Sequence, residues 1–137
     1  MPDDPVTRFG VTMEKSLLAD IDRLVEDRGY ASRSDLIRRL ARRAVTERKF
    51  EDEEQVVVGT LTLLYEHSRV NLGHELTRIQ HDYANAVASS LHVHLSSDDC
   101  LEVLVLSASS RDVRELAEQL RCLRGVKFSE LSVAASS

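Results

Sequence analysis

No stretch of this chain approaches the ~20 consecutive apolar residues that a helical membrane span requires, so insertion into a bilayer is not expected. The opening Met1 to Val6 is too short and too acidic to begin a secretory signal, which points to the cytoplasm. Cysteine is scarce as well. In a reducing compartment Cys100 and Cys122 are expected to be reduced and are poor evidence for a disulfide, which leaves Cys100 as a thiol that a metal can take as thiolate. An overall positive charge is also missing: the net charge of −5 taken alone argues against a nucleic-acid partner. That average conceals an asymmetry, because residues 1–49 hold 11 Lys and Arg against 9 Asp and Glu, whereas residues 50–137 hold 7 against 14. The basic charge belongs to the N-terminal segment. A length of 137 residues suits one ordinary domain or two small ones that stabilise each other.

Within that basic segment, Arg8 to Met13 alternates, with Phe9, Val11 and Met13 on one face and Arg8, Gly10 and Thr12 on the other, as a short half-buried strand does. Leu17, Leu18, Ile21, Leu24 and Val25 follow at helical spacing, and Gly29 is placed to end that helix as a left-handed cap. Ser32 with Asp35 three residues on reads as the start of a second helix, whose apolar stripe is Leu36, Ile37, Leu40, Ala41 and Ala44 and which runs to about Glu47. One strand and two helices in fewer than fifty residues cannot cover their own apolar surface, and a lone strand leaves its backbone unpaired. A second copy solves both problems. Two strands paired antiparallel would bury Phe9, Val11 and Met13 over a shared core and present Arg8, Gly10 and Thr12 on a ribbon that fits the major groove.

Residues 7–48 resemble the ribbon-helix-helix DNA-binding fold, most specifically through Gly29-Tyr30-Ala31-Ser32-Arg33-Ser34-Asp35-Leu36-Ile37-Arg38. The resemblance implies that Arg8 and Thr12 read base edges, and that Ser32, Arg33 and Ser34 at the second helix's N-terminus grip phosphate, where free amides favour anions. Gly10 departs from the pattern: lacking a side chain, it reads no base edge, so sequence preference rests on fewer direct contacts or on DNA shape. Arg42, Arg43, Arg48 and Lys49 read simply as a solvated helix face.

Glu51 to Gln55 is acidic, lacks apolar residues, and is expected to be the hinge between a domain at 1–50 and another at 56–137. Beyond it the order is strand (Val56 to Tyr65), helix (Leu72, Leu76, Ile79, Tyr83), strand (Ala88 to Leu95), strand (Leu101 to Leu106), helix (Val113, Leu116, Ala117, Leu120, Leu123), then Gly125 as a cap and a last strand through Val133. That is an α+β, ferredoxin-like βαββαβ sandwich with two helices on one sheet face, similar to ACT-type regulatory domains. The other sheet face needs covering, so association beyond the ribbon pairing is expected.

The chemistry concentrates in Gln80-His81, His92-Val93-His94 and Asp98-Asp99-Cys100. In an extended strand His92 and His94 share one face while Leu91, Val93 and Leu95 line the other. The polar turn Ser96 to Asp99 is able to fold the following strand back, so that Cys100 joins the two imidazoles. Nitrogen and thiolate donors suit Ni(II), Zn(II) and copper alike, and geometry discriminates among them. A hydrolytic metal with Asp98, Asp99 or Glu102 as base would need an open coordination position, which a set of four protein ligands does not leave, and a substrate pocket, which nothing in the sequence supplies, so an enzyme is not expected.

A ribbon-helix-helix segment joined to a ferredoxin-like domain with this histidine and cysteine set resembles the NikR family of nickel-responsive transcriptional regulators over essentially the whole chain. The resemblance implies one Ni(II) per subunit in a square-planar site made by His92, His94 and Cys100 of one subunit and His81 of its neighbour in a homotetramer, a dimer of dimers. It also implies a repressor that binds a double-stranded operator, with nickel-uptake genes as the expected target. Tyr65 and Glu102 are placed to orient the ligands. Arg39 stands where certain relatives carry an acid that helps bind a structural cation between the domains, which leaves either no such cation or its charge replaced by Arg39. His67 and His74 read as surface or interface histidines, and Cys122 is given no role. The rival reading is a ribbon-helix-helix regulator that senses a small organic ligand through its ACT-like domain.

Overall fold

A computed structural model describes residues 5–135. Helices α1 (Lys15–Arg28) and α2 (Arg33–Glu51) are followed by β1 (Val56–Glu66), α3 (Leu72–Asp82), β2 (Val87–His94), β3 (Asp99–Ser109), α4 (Ser110–Arg121) and β4 (Val126–Ala135). The fold is α+β, and the chain divides into two compact units between Arg43 and Ala44.

In the first unit α1 ends as its sequence dictates: Gly29 adopts φ 67°, and its N–H bonds the Val25 carbonyl. The Ser32 hydroxyl accepts the Asp35 N–H at 3.1 Å, and the Asp35 carboxylate accepts the Ala31 N–H at 3.3 Å, which satisfies donors at the start of α2. Ile21 and Leu36 are buried. The expected strand at Arg8 to Met13 does not form in the single chain; Phe9 is 77% exposed and Val11 54%. A strand acquires its hydrogen bonds and its covered face only from a neighbour, and within one chain these residues have none. Leu17, Leu24 and Leu40 are likewise exposed, surface that a paired fold would cover.

Helix α2 continues to Glu51, past the expected end near Glu47. Its last turn is held by an Arg48–Glu51 pair at 2.6 Å and by Ser110, whose hydroxyl donates to the Phe50 carbonyl at 2.5 Å. The acidic stretch expected as a hinge also bonds to the start of α4. The Gln55 and Glu53 carbonyls accept the N–H groups of Ser110 and Arg111, and the Arg111 guanidinium reaches Glu53 at 3.0 Å and Glu54 at 2.7 Å. Arg114 lies 4.4 Å from the Phe50 ring centroid.

The second unit is a four-stranded antiparallel sheet in the order β2-β3-β1-β4, the ferredoxin-like arrangement. Alternation puts Val57, Leu61, Leu63 and Tyr65 of β1 beside Cys100, Leu104 and Leu106 of β3, all buried with Leu72, Leu76 and Ile79 of α3 and Val113, Leu116 and Leu120 of α4. Burying each such leucine contributes roughly 1.5–3 kcal/mol. On the opposite sheet face Val58, Leu91, Val105 and Phe128 are exposed. Gly125 is not the cap of α4: the helix ends at Arg121, Cys122 keeps a right-handed conformation, and Gly125 turns the chain at φ 103° directly before β4. A turn from Leu123 to Val126, closed by the Val126 N–H on the Leu123 carbonyl, accounts for the delay. Among the described residues no helix is long and apolar enough to cross a membrane.

Candidate metal centre

The hairpin of β2 and β3 builds the centre. Leu95 and Ser96 N–H groups bond the Asp99 carbonyl, and the Ser96 hydroxyl accepts the N–H groups of Asp98 and Asp99, so the polar turn closes on itself. The resulting register sets His94 opposite Cys100 and His92 opposite Glu102. Strand β2 lies at the sheet's edge, so His92 and His94 are exposed while Cys100, one strand inward, is fully buried. Cys100 Sγ is 3.2 Å from His94 Nδ1, and the His92 and His94 ring centroids are 4.9 Å apart.

His67, read from the sequence as a surface or interface histidine, is exposed and also lies beside this group. Its donor atom and those of His94 and Cys100 all lie within 4.8 Å of one another, and its ring meets that of His94 edge-on at 5.0 Å. The signal was available only in the strand register. Glu66 pairs with Asp99, so the residue after Glu66 leaves β1 beside the hairpin turn, where the His67 N–H bonds the Asp98 carbonyl. His81 stands exposed in the last turn of α3 and is outside this cluster.

Behind the histidines is a polar chain. The Tyr65 hydroxyl is 3.4 Å from His92 Nδ1 and 3.5 Å from Nε2. Gln80, the residue before His81, donates from Nε2 to Glu102 Oε1 at 3.0 Å, which ties the end of α3 to β3. Glu102 is almost fully buried, and a buried carboxylate is tolerated where donors or positive charge face it. Burial, with the charge of Glu102 adding to it, holds the Tyr65 hydroxyl well above its ordinary range, so it stays a neutral donor. Burial also pushes the Cys100 thiol up, and the carboxylates of Asp99 and Glu102 push it the same way. The centre therefore gathers a thiol, imidazoles and the buried Glu102 carboxylate around one point, while the Asp99 carboxylate is paired with the Lys127 ammonium. A divalent cation fits that donor set, expelling the thiol proton as it binds.

In the N-terminal unit Arg8, Gly10 and Thr12 are exposed, and nothing lies within 4 Å of a Cβ built on Gly10. Ser32, Arg33 and Ser34 stand exposed at the start of α2. Arg33 forms a two-pronged pair with Asp22, at 2.6 and 2.7 Å, which lowers the Asp22 pKa. Arg39 bonds Asp35 at 3.3 Å and lies 5.5 Å from the Tyr30 ring centroid. Cys122 is exposed, with its sulfur 3.4 Å from a Glu118 carboxylate oxygen.

Comparison with known proteins agrees with both halves. Residues 58–134 match the NikR C-terminal nickel-binding domain, and residues 7–48 match ribbon-helix-helix proteins of the CopG family. A candidate nickel-responsive regulator of Nitratidesulfovibrio vulgaris strain Miyazaki F is 43% identical over 94% of this chain and 93% of its own. One from Geobacter sp. strain M21 is 46% identical over 90% and 89%, and one from Thermococcus onnurineus is 40% identical over 92% and 91%. An uncharacterized protein of Thermotoga maritima superimposes with a TM-score of 0.53 at 15% identity, over 58% of this chain and 98% of its own, which speaks to the fold alone. With a ribbon-helix-helix segment ahead of a nickel-binding domain, the chain belongs to the NikR family of nickel-responsive transcriptional regulators, DNA-binding proteins and not enzymes.

Proposed function

We propose that this protein is a cytoplasmic repressor of nickel-uptake genes, in which one Ni(II) per subunit promotes binding of the N-terminal ribbon to its operator. His92, His94 and Cys100 would hold the metal together with the partner subunit's His81, in a homotetramer built as a dimer of dimers. The observation that carries this reading is the buried Cys100 thiol 3.2 Å from His94, beside His92 on an open edge strand. Bound nickel supplies the positive charge and directional bonds that tie chains together. The protein's own part is positioning. Tyr65 fixes the His92 ring, and the Gln80–Glu102 bond sets where the end of α3 carries His81. Arg8 and Thr12 would read base edges beside Gly10, with Ser32, Arg33 and Ser34 on phosphate. Coupling of the metal to DNA is then a free-energy difference of ~1–3 kcal/mol between sites, typical of such regulators.

The test is a Ni(II) titration of reduced protein followed by absorption, with Cys100→Ala and His81→Ala in parallel. Stoichiometric binding with a sulfur-to-nickel charge-transfer band, lost in Cys100→Ala, is expected. Weak binding without that band, or binding indifferent to both substitutions, would sink the nickel reading.

A further inference from the structure

We infer that Tyr83 is a positioning residue for His81 and that α4 is a strut: Glu115 and Gln119 hold Tyr83 at the end of α3, while the start of α4 grips the end of α2. The inference rests on the reading of His81 as a metal ligand for the neighbouring subunit and adds the residues that serve it from behind. Tyr83 caps α3 two positions beyond His81, with its N–H on the Ile79 carbonyl. Its hydroxyl donates to Glu115 Oε2 at 3.1 Å and accepts from Gln119 Nε2 at 2.9 Å, so α4 supplies a partner for each of its hydrogen-bonding roles. The bond to the carboxylate is charge-assisted, the stronger kind. The half-buried ring also packs against the hydrophobic core, which leaves the end of α3 fixed on two sides.

The same helix holds α2 by its other end. Ser110 donates to the Phe50 carbonyl at 2.5 Å, and the Arg111 guanidinium reaches Glu53 at 3.0 Å and Glu54 at 2.7 Å. Arg111, Glu115 and Gln119 recur at every fourth position and so share one stripe of α4, whereas Val113, Leu116 and Leu120 are buried. A helix seated on a sheet by one face and bonded to both α3 and α2 along another passes a displacement of either on to the other. Helix α2 runs unbroken from Arg33 in the first unit to Glu51 in the second. What α4 holds is therefore the last turn of the helix whose first turn is the proposed grip on phosphate.

The experiment is Ni(II) titration of reduced full-length protein against a competing chelator, followed by absorption. The proteins are wild type, Tyr83→Phe, Glu115→Ala, His81→Ala, Cys100→Ala and the double variant Tyr83→Phe with His81→Ala. Tyr83→Phe keeps the ring and removes only the hydroxyl, Glu115 is exposed, and far-ultraviolet circular dichroism checks that the fold is kept. Loss of a group that orients a ligand typically weakens metal binding 10–100-fold, and a group acting through the helix end belongs at the lower limit, about tenfold, in Tyr83→Phe and in Glu115→Ala alike. With His81 already replaced, Tyr83→Phe should cost less than about twofold, a dependence that a merely structural role does not produce. Amide exchange reads the other end of the strut. Ni(II) should slow exchange at Ser110 and Arg111, whose N–H groups bond the Gln55 and Glu53 carbonyls, in wild type but not in Ni(II)-saturated Tyr83→Phe. Unchanged nickel affinity in Tyr83→Phe, an equal loss with and without His81, or slowing at Ser110 and Arg111 that survives Tyr83→Phe overturns the inference. The nickel reading is judged separately: a charge-transfer band lost in Cys100→Ala upholds it even where Tyr83 proves irrelevant, and a band indifferent to Cys100 removes both.

Discussion

Replacing Ser110 with alanine removes a fully buried hydroxyl that donates to the Phe50 carbonyl at 2.5 Å. That carbonyl belongs to the last turn of α2, where helix geometry provides no further N–H to meet it, so the side chain acts as a cap supplied from a distant part of the chain. A satisfied hydrogen bond contributes only about 1 kcal/mol net, but an acceptor stranded away from water costs ~1–3 kcal/mol, and the expected loss is in that upper range. With a urea m-value of ~2 kcal/mol/M, the unfolding midpoint should fall by roughly 0.5–1.5 M at constant m. The comparison is made at one protein concentration, because assembly contributes to apparent stability. Ser109→Ala is the internal reference. It deletes the cap at the N-terminus of α4, where the hydroxyl accepts the Asp112 N–H at 3.2 Å, and should cost ~1 kcal/mol. An unchanged midpoint in Ser110→Ala would refute the argument that this hydroxyl closes α2, and a changed m-value would mean that the unfolding reaction itself had altered.

Four further outcomes are expected. Gly59→Ala drives a Cβ into the Ser132 carbonyl across the β1–β4 pair, backbone that cannot yield cheaply, and should destabilise by ~1–3 kcal/mol with faster amide exchange at Val133; unaltered exchange would refute the clash. Leu104→Ala opens a cavity in a fully buried position and should cost ~2–5 kcal/mol by urea unfolding, with a cost below 1 kcal/mol contradicting its core placement. The Arg33 guanidinium holds the Asp22 carboxyl below its ordinary pKa, so the pair stabilises the fold above the usual carboxylate range and that contribution is lost as pH falls through the lowered value. Carbon-detected NMR titration should return Asp22 to an ordinary pKa in Arg33→Ala, and DNA that recruits Arg33 to phosphate should raise it in wild type. Arg8→Ala should cost ~1–3 kcal/mol in operator discrimination while leaving nickel titration unchanged; undiminished operator preference would remove the ribbon from the proposed interface.

Hydrophobic period was legible directly. The order of helices and strands, the Gly29 cap and the Ser32–Asp35 start of α2 all follow from local rules, because helix faces, strand alternation and turn chemistry act over a few residues. The pairing of His94 with Cys100 was legible for the same reason: a short polar turn leaves little choice of partner. His67 was not, since its neighbours come from a strand that pairs with β1 some thirty residues later. Nor was the fastening of Glu53, Gln55 and Phe50 to α4, which joins positions nearly sixty residues apart and turns an apparently free acidic stretch into a bonded one. Gly125 misled because a glycine shortly after an apolar helical stripe looks the same in sequence whether it caps the helix or, as here, serves the following turn four positions past the last helical residue, Arg121.

By itself the sequence determined that this is an α+β chain with a basic helical front and a βαββαβ rear, and it named thiol and imidazole donors at strand spacing. Tertiary structure decided which of those donors meet. Burial raised the Cys100 thiol, the edge position of β2 left His92 and His94 open to solvent, and the register of β1 on β3 brought His67 beside them. The division has a physical cause: periodicity and capping are local, whereas proximity across a sheet is set only when the whole chain has chosen its strand order.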